Sequence, residues 1–147
     1  MPAFGGPSGN IGPPDGKGRR PGDGKRPRRT VEDNVGRVGL QHIGRQFECR
    51  LDHCHSGDVA QGGFVTGWVD NAMATASMMG ADGRVAMSLD VKVSFFRSAN
   101  PGRVIAEGWV EHGGGRTVFA EGRLRTLEGV TIAKATSTIA LLQPRKA

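Results

Sequence analysis

The sequence predicts an α+β domain in which a curved antiparallel sheet carries one long helix on a face. Three observations support this prediction. The 147 residues suffice for one compact domain with a core, but not for two domains of ordinary size. One segment has strong helical periodicity, whereas every segment after it alternates between apolar and polar residues. The turns between those later segments are short, and short turns imply antiparallel neighbours.

The basic character of the chain comes from residues 1–30. They hold seven Lys and Arg and only two Asp. The rest of the chain has thirteen Lys and Arg and twelve Asp and Glu, so it is nearly neutral. They also hold six of the eight prolines and few large apolar residues, so burial cannot offset the entropy of ordering them. We expect a disordered basic Gly/Pro-rich tail at 1–30 and a folded domain at 31–147. Because the tail offers no series of aromatic side chains for base stacking, nucleic acid is not the expected partner.

Composition disfavours several other classes of protein. No apolar stretch reaches the roughly 18 residues that could span a bilayer, and no secretory signal is found, so we expect a cytoplasmic protein without a membrane partner.

The two cysteines, Cys49 and Cys54, are expected to be reduced thiols. Together with His53 and His55 they could suggest zinc, but consecutive residues at a strand end point to alternating faces. We therefore predict no metal.

The first elements are the most weakly patterned. Apolar spacing at 31–44 favours a short helix. In the segment 46–54, Phe47, Cys49 and Leu51 alternate with polar residues, which predicts the first core strand.

The strongest helical signal follows Gly62 and Gly63. Apolar residues form one stripe at a spacing of 3.6 residues, and Gly80 is placed to end the helix. Asp70 lies on the opposite side, beside Thr66 and other small residues, where another backbone could come close. The stripe consists of Phe64, Val65, Trp68, Val69, Ala72, Met73, Ala76 and Met79.

Four strands are predicted after this helix. Alternation places them at 85–95, 103–112, 117–127 and 130–142. The three glycines at 113–115 precede a strand rather than a helix, so we interpret them as a flexible hairpin loop and not as a phosphate-binding loop. No cofactor is predicted.

Two stretches resemble the hot-dog acyl-CoA thioesterases of the phenylacetate-degradation type. Their signature is His-Gly-Gly, a helix, and an Asp seven residues after the second Gly. Gly62, Gly63 and Asp70 keep that spacing, and Gln61 stands where His is commoner, as in one branch of the group. Residues 88–95 and 99–102 are similar to the strand after the helix and its turn, and the resemblance covers about 46–142.

The resemblance implies the hot-dog fold, in which the sheet wraps around the central helix. It also implies hydrolysis of an acyl-CoA or a related acyl thioester. Members act as homodimers, which can pair into homotetramers, and the acid of one subunit faces the Gly-Gly turn of the other. A non-catalytic acyl-CoA-binding or regulatory hot-dog domain, and nucleic-acid binding through the tail, remain as alternatives.

Site roles follow from the same resemblance. The amide of Gly63, joined by that of Phe64, would polarise the thioester carbonyl, because N–H groups at a helix start are fixed donors. Gly62 would let the backbone approach the substrate. Asp70 would act as general base or as nucleophile. The alternative for Asp70 is an ordinary solvated carboxylate.

Four further residues complete the predicted site. Ser88 matches a hydroxyl that helps to hold the water in some relatives, and Gln61 would orient the acyl group or the turn. Thr66 is expected to contact substrate. His55 stands where relatives often carry Asn, and an imidazole can replace one hydrogen bond of that amide.

Overall fold

The computed structural model describes residues 41–145. The predicted tail at 1–30 and most of the predicted helix at 31–44 lie outside the described residues. The remainder of that prediction is wrong, because His42, Ile43 and Gly44 belong to the first strand.

The described chain contains one α-helix and seven strands. The elements before the helix are β1 (His42–Cys49), a 3-10 turn (Leu51–His53), β2 (Cys54–His55) and β3 (Val59–Ala60). The helix α1 (Gly62–Met78) is followed by β4 (Val85–Phe95), β5 (Gly102–Gly114), β6 (Thr117–Thr126) and β7 (Thr131–Leu142).

Five strands form one antiparallel sheet in the order β1-β5-β6-β7-β4, and α1 packs across one face of it. The strands β2 and β3 form a separate small hairpin just before the helix. The predicted α+β architecture is therefore confirmed. Of the strands in the main sheet, β1 and β4 are the edges, so each leaves one row of backbone groups without a partner strand. Within 41–145 no helix has the length and apolarity needed to cross a membrane.

Two glycines in the centre of the sheet set the distance between sheet and helix. Gly108 and Gly122 are paired across β5 and β6. A Cβ atom added to Gly108 would lie 2.4 Å from the carbonyl carbon of Ala72, and one added to Gly122 would lie 2.8 Å from Val69 Cγ1. Since real Cβ atoms do not approach other atoms so closely, only glycine allows α1 this near to the sheet.

The predicted first strand is wrong in its second half. β1 ends at Cys49, and the chain then makes the 3-10 turn before Cys54 begins β2. Alternation continued through this turn by coincidence, since Leu51 is largely exposed.

The long helix and the later strands are confirmed with small shifts of their ends. Gly80 follows the helix with φ +78°, a conformation that favours glycine. The apolar stripe holds except at its two ends, where Phe64 and Met79 are each 39% exposed. The predicted loop at 113–115 is a tight turn, since Gly114 still belongs to β5 and Gly115 has φ +62°.

One charged side chain is buried on the sheet face that points away from α1. Glu107 is 8% exposed and accepts hydrogen bonds from Arg123 and Arg125. Burial opposes the ionised form, but the two guanidinium groups outweigh it and hold the pKa of Glu107 below its usual value.

We expect Gly108→Ala to destabilise the fold, because its methyl group would meet the backbone of α1 rather than a flexible side chain. Overpacking of this kind costs about 1–3 kcal/mol or more. Urea denaturation would measure the loss. Gly113→Ala on the same strand is the matched control, since its added Cβ would lie 3.8 Å from Val110 Cγ1 in ordinary contact. Equal stability of the two variants would contradict this account of helix packing.

Candidate active site

Asp70 lies in the middle of α1 and faces the edge strand β4. The hydroxyl of Ser88 donates a hydrogen bond to Asp70 Oδ1 at 2.5 Å, and both side chains are partly buried. A short hydroxyl-to-carboxylate bond fixes the direction of the carboxylate. The other oxygen, Oδ2, has no hydrogen-bond donor within 41–145. Asp70 is thus held by the fold and is not a freely rotating surface carboxylate.

A β-bulge in β4 turns Ser88 toward the helix. The register against β7 shifts between Ser88 and Asp90, so Leu89 is the extra residue. On one side of the bulge Ser88 is paired with Ile139, whose side chain is in the core. On the other side Val91 packs against the core. Strict alternation would place Ser88 and Val91 on opposite faces, and the bulge places both on the helix side.

Asp90 stabilises this bulge, a role that the sequence did not indicate. Its carboxylate Oδ1 accepts the backbone N–H of Thr138 at 3.0 Å, and its carbonyl accepts the hydroxyl of Ser137 at 2.7 Å. A bulge leaves ladder groups unpaired, and these two bonds supply partners at that point. Asp90 therefore supports the position of Ser88 from the opposite face of the strand.

The two glycines begin the helix, as the spacing predicts. Gln61 is the N-cap residue, and its side chain makes no capping hydrogen bond. Within 41–145 the N–H groups of Gly62 and Gly63 donate to no backbone carbonyl, whereas the N–H of Phe64 donates to the Gln61 carbonyl at 3.0 Å. Gly63 is exposed, and a Cβ added to it would have no atom within 4 Å. The positive end of α1 thus offers free donors at Gly62 and Gly63.

Thr66 is engaged within the helix itself. Its hydroxyl donates to the carbonyl of Gly62 at 2.8 Å, one turn earlier. That bond leaves its oxygen lone pairs available as acceptors.

An open cavity of about 450 Å³ lies beside this turn. Gly62 is at its edge, and a Cβ at Gly62 would come within 3.2 Å of the Phe95 ring at the end of β4. Its lining is formed by Val59, Ala60, Gly62, Val65 and the segment from Phe95 to Ala99. A second cavity of about 120 Å³, at the other end of α1, contains none of the predicted site residues.

An aromatic cluster fixes the loop before the helix, and sequence patterns did not reveal it. The ring of His53 lies 4.5 Å from the ring of Phe64 and 5.6 Å from that of Trp68. Phe47 of β1 stacks on Trp68 at 6.0 Å. In addition, the carbonyl of His53 accepts the Gln61 N–H at 2.9 Å. His53 thereby connects the loop to the first turn of α1.

His55 is not brought to the other predicted residues. It is exposed in β2, where it pairs with Val59, and its side chain makes no hydrogen bond to another residue of 41–145. Within the same residues there is no group of three or more His, Cys, Asp and Glu side chains arranged to hold a metal ion.

Asp70 and the Gly63 amide are separated along one helix. Seven residues at 1.5 Å of rise per residue amount to about 10 Å. Within this chain the pair Asp70–Ser88 and the Gly62–Gly63 turn thus form two separate parts of the predicted site.

Residues 57–133, just over half of the chain, match the thioesterase superfamily. The chain belongs to this family. The match includes Gly63, Asp70 and Ser88, and so covers both halves of the site geometry. No curated protein matches the sequence.

Several solved structures are similar to this chain in fold. A conserved protein from Pseudomonas aeruginosa shares 22% identity over 77% of this chain and 94% of its own, with a TM-score of 0.65. A phenylacetic acid degradation-related protein from Ralstonia eutropha JMP134 shares 20% sequence identity. The match covers 76% of this chain and 92% of that protein, with a TM-score of 0.65. A Streptococcus mutans UA159 protein bound to acetyl CoA shares 21% sequence identity. The match covers 72% of this chain and 85% of that protein, with a TM-score of 0.65. These structures confirm the predicted hot-dog fold, and the family match confirms the predicted thioesterase superfamily.

We expect Asp90→Ala to loosen the bulge that presents Ser88. The variant removes the acceptor of the Thr138 N–H, which should lower the free energy of unfolding by about 1 kcal/mol. Hydrogen exchange at the Thr138 amide should become faster, and mass spectrometry of peptides from β7 would detect it. Lys92→Ala, also exposed on β4, is the control and should leave that exchange unchanged. Unchanged exchange in Asp90→Ala would show that the bulge does not depend on this carboxylate.

Proposed function

We propose that this protein hydrolyses an acyl-CoA to the free acid and CoA. The observation that carries the proposal is the hydrogen bond from Ser88 to Asp70 at 2.5 Å, which holds a carboxylate at the sheet edge of a thioesterase-superfamily chain. The acetyl CoA bound to the Streptococcus mutans neighbour, and the coenzyme A bound to a Streptococcus pneumoniae thioesterase of the same fold, support a CoA thioester as the substrate.

The chemistry needs a base and an anion-stabilising donor. As water attacks the thioester carbon, negative charge develops on the carbonyl oxygen, and the free N–H of Gly63 would stabilise it with the aid of the helix dipole. Asp70 would take the proton of the attacking water, while Ser88 keeps one carboxylate oxygen in place. The tetrahedral intermediate would then collapse, with loss of the CoA thiolate. Direct attack by Asp70, through an anhydride that water hydrolyses, uses the same groups.

A homodimer would bring the two halves together. β4 is an edge of the sheet, eleven residues long and free of proline, and it exposes Val85, Met87 and Leu89. A long apolar edge of this kind is a typical surface for pairing with another chain. Asp70 faces this same strand. In a dimer paired along β4 with the arrangement that the family resemblance implies, Asp70 of one protomer would face the Gly63 turn of its partner. Further pairing into a tetramer, and a cytoplasmic location, stay predictions.

Asp70→Asn should lower the rate of CoA release by about 10²–10⁴-fold, because an amide cannot accept the proton of the water. The rate would be measured as free thiol released from a panel of acyl-CoAs. Asp82→Asn is the matched control, since Asp82 lies in the turn after α1 with φ +52°, a conformation that Asn tolerates. A near-full rate in Asp70→Asn would remove this residue from the mechanism. Binding of acyl-CoA without turnover by the wild type would instead indicate a non-catalytic domain.

Mixing two inactive variants tests whether the site is shared between protomers. Asp70→Asn lacks the base, and Gly63→Val places a side chain where the carbonyl would approach the amide. If each site combines Asp70 of one chain with Gly63 of the other, mixed dimers contain one intact site, and the mixture should recover roughly a quarter of wild-type activity.

The control for the mixing experiment pairs Asp70→Asn with the double variant Asp70→Asn/Gly63→Val, which can form no intact site. Circular dichroism would verify that every variant is folded before mixing. Absence of recovery in the first mixture, with subunit exchange demonstrated by native mass spectrometry, would contradict a shared site.

A further inference from the structure

Two thiols lie next to each other on either side of the 3-10 turn that precedes α1. Cys49 and Cys54 are the only cysteines of the chain, and their Sγ atoms are 3.9 Å apart. Cys49 ends β1 and is 2% exposed, whereas Cys54 begins β2 and is partly exposed. The mechanism proposed above uses neither of them.

The geometry permits a bond between these sulfurs. A disulfide requires an S–S distance of about 2.05 Å, so the two atoms, now 3.9 Å apart, would have to approach by about 1.9 Å through side-chain rotation together with a shift of the β2 backbone. The 3-10 turn at Leu51–His53 lies between the two cysteines in the chain, and their Sγ atoms meet across it.

The two thiols differ in the way that an exchange reaction requires. Burial, followed by the hydrogen bond and the charge interaction with Cys54, raises the pKa of Cys49 to about 11, so this thiol stays protonated and protected. Cys54 is the accessible partner, and its thiol contacts the carbonyl of Arg50 at 3.4 Å. An accessible attacking thiol and a buried resolving thiol are the two components of a redox-responsive pair.

We propose that Cys49 and Cys54 form a redox-modifiable dithiol, which closes to an intramolecular disulfide by exchange with a low-molecular-weight disulfide. The thiolate of Cys54 attacks one sulfur of the oxidant, forming a mixed disulfide and releasing one thiolate. Cys49 then attacks Cys54 Sγ as its proton passes to the departing sulfur of the oxidant, which leaves as the second thiol. The protein loses two hydrogen atoms and two electrons, and the oxidant is reduced to two thiols.

Closure would act on the candidate site through the loop that carries His53. Cys54 pairs with Ala60, and the carbonyl of its neighbour His53 accepts the N–H of Gln61. The ring of His53 also packs on Phe64 in the first turn of α1. Drawing Cys54 toward Cys49 would displace these contacts and the Gly63 amide with them. This link to activity rests on the proposed function, and we expect the disulfide to lower activity.

Intact mass spectrometry of the full chain tests the dithiol without any substrate. After incubation of the reduced protein with oxidised glutathione, the wild type should lose two hydrogen atoms and remain a single chain. Cys49→Ala should stop at a glutathione adduct on Cys54, because the resolving thiol is missing, and Cys54→Ser should remain unmodified. A stable glutathione adduct on the wild type, a cross-linked pair of chains or no change at all would overturn the proposal.

Activity provides the second readout. Hydrolysis would be followed by the absorbance of the thioester, since thiol reagents would also count the cysteines. A displacement of about 1 Å can cost up to about 10²-fold in rate, so we expect a loss between a few-fold and that limit, reversed by dithiothreitol. Cys54→Ser should show no loss under the same treatment. An oxidised wild type with full activity would overturn the link to the site. If the reduced protein hydrolyses no acyl-CoA, the proposed function fails. The mass measurement would still show whether Cys49 and Cys54 form a disulfide.

Discussion

The close contact between α1 and the centre of the sheet is the constraint on which the rest of this structure depends. Gly108 and Gly122 are paired in neighbouring strands and have no side chains, so the helix backbone at Ala72 packs directly against the sheet backbone at Gly108. The same helix carries Gly63 at its start and Asp70 in its middle. The positions of both groups relative to the sheet are therefore set by one packing contact, and any change in the core at these glycines would also move the chemical groups of the site.

Sequence periodicity predicted those helices and strands whose pattern is set by a single requirement, the burial of one face. α1 was predictable because a buried face at 3.6-residue spacing follows a pair of glycines, and β5 to β7 were predictable because each buries one face. The failures have physical reasons. The pattern at 46–54 continues through the 3-10 turn, where Leu51 is exposed, because alternation does not record whether a strand partner exists.

The candidate site was predictable to the extent that it follows spacing along the chain. The family signature identified Gly63, Asp70 and Ser88, and the structure joins the last two directly. Asp90 and His53 were not identified, because their contacts depend on a register shift and on the packing of a loop against the helix. Such contacts link residues far apart in sequence, and no local pattern encodes them. His55 was proposed from one position of the family pattern, and its exposed side chain makes no hydrogen bond to another residue of 41–145.

The bulge at Leu89 divides β4 into two halves, in which side chains of opposite numbering, even or odd, face the helix. Even-numbered side chains such as Ser88 face the helix before it, and odd-numbered ones such as Val91 and Val93 do so after it. The strand can thus offer a hydroxyl to Asp70 and still contribute aliphatic surface to the core. Removing a single codon at this point would exchange the two faces of half the strand, whereas most substitutions would not. The arrangement of β4 consequently depends on the chain length at residue 89 more than on the side chain there, which is 61% exposed.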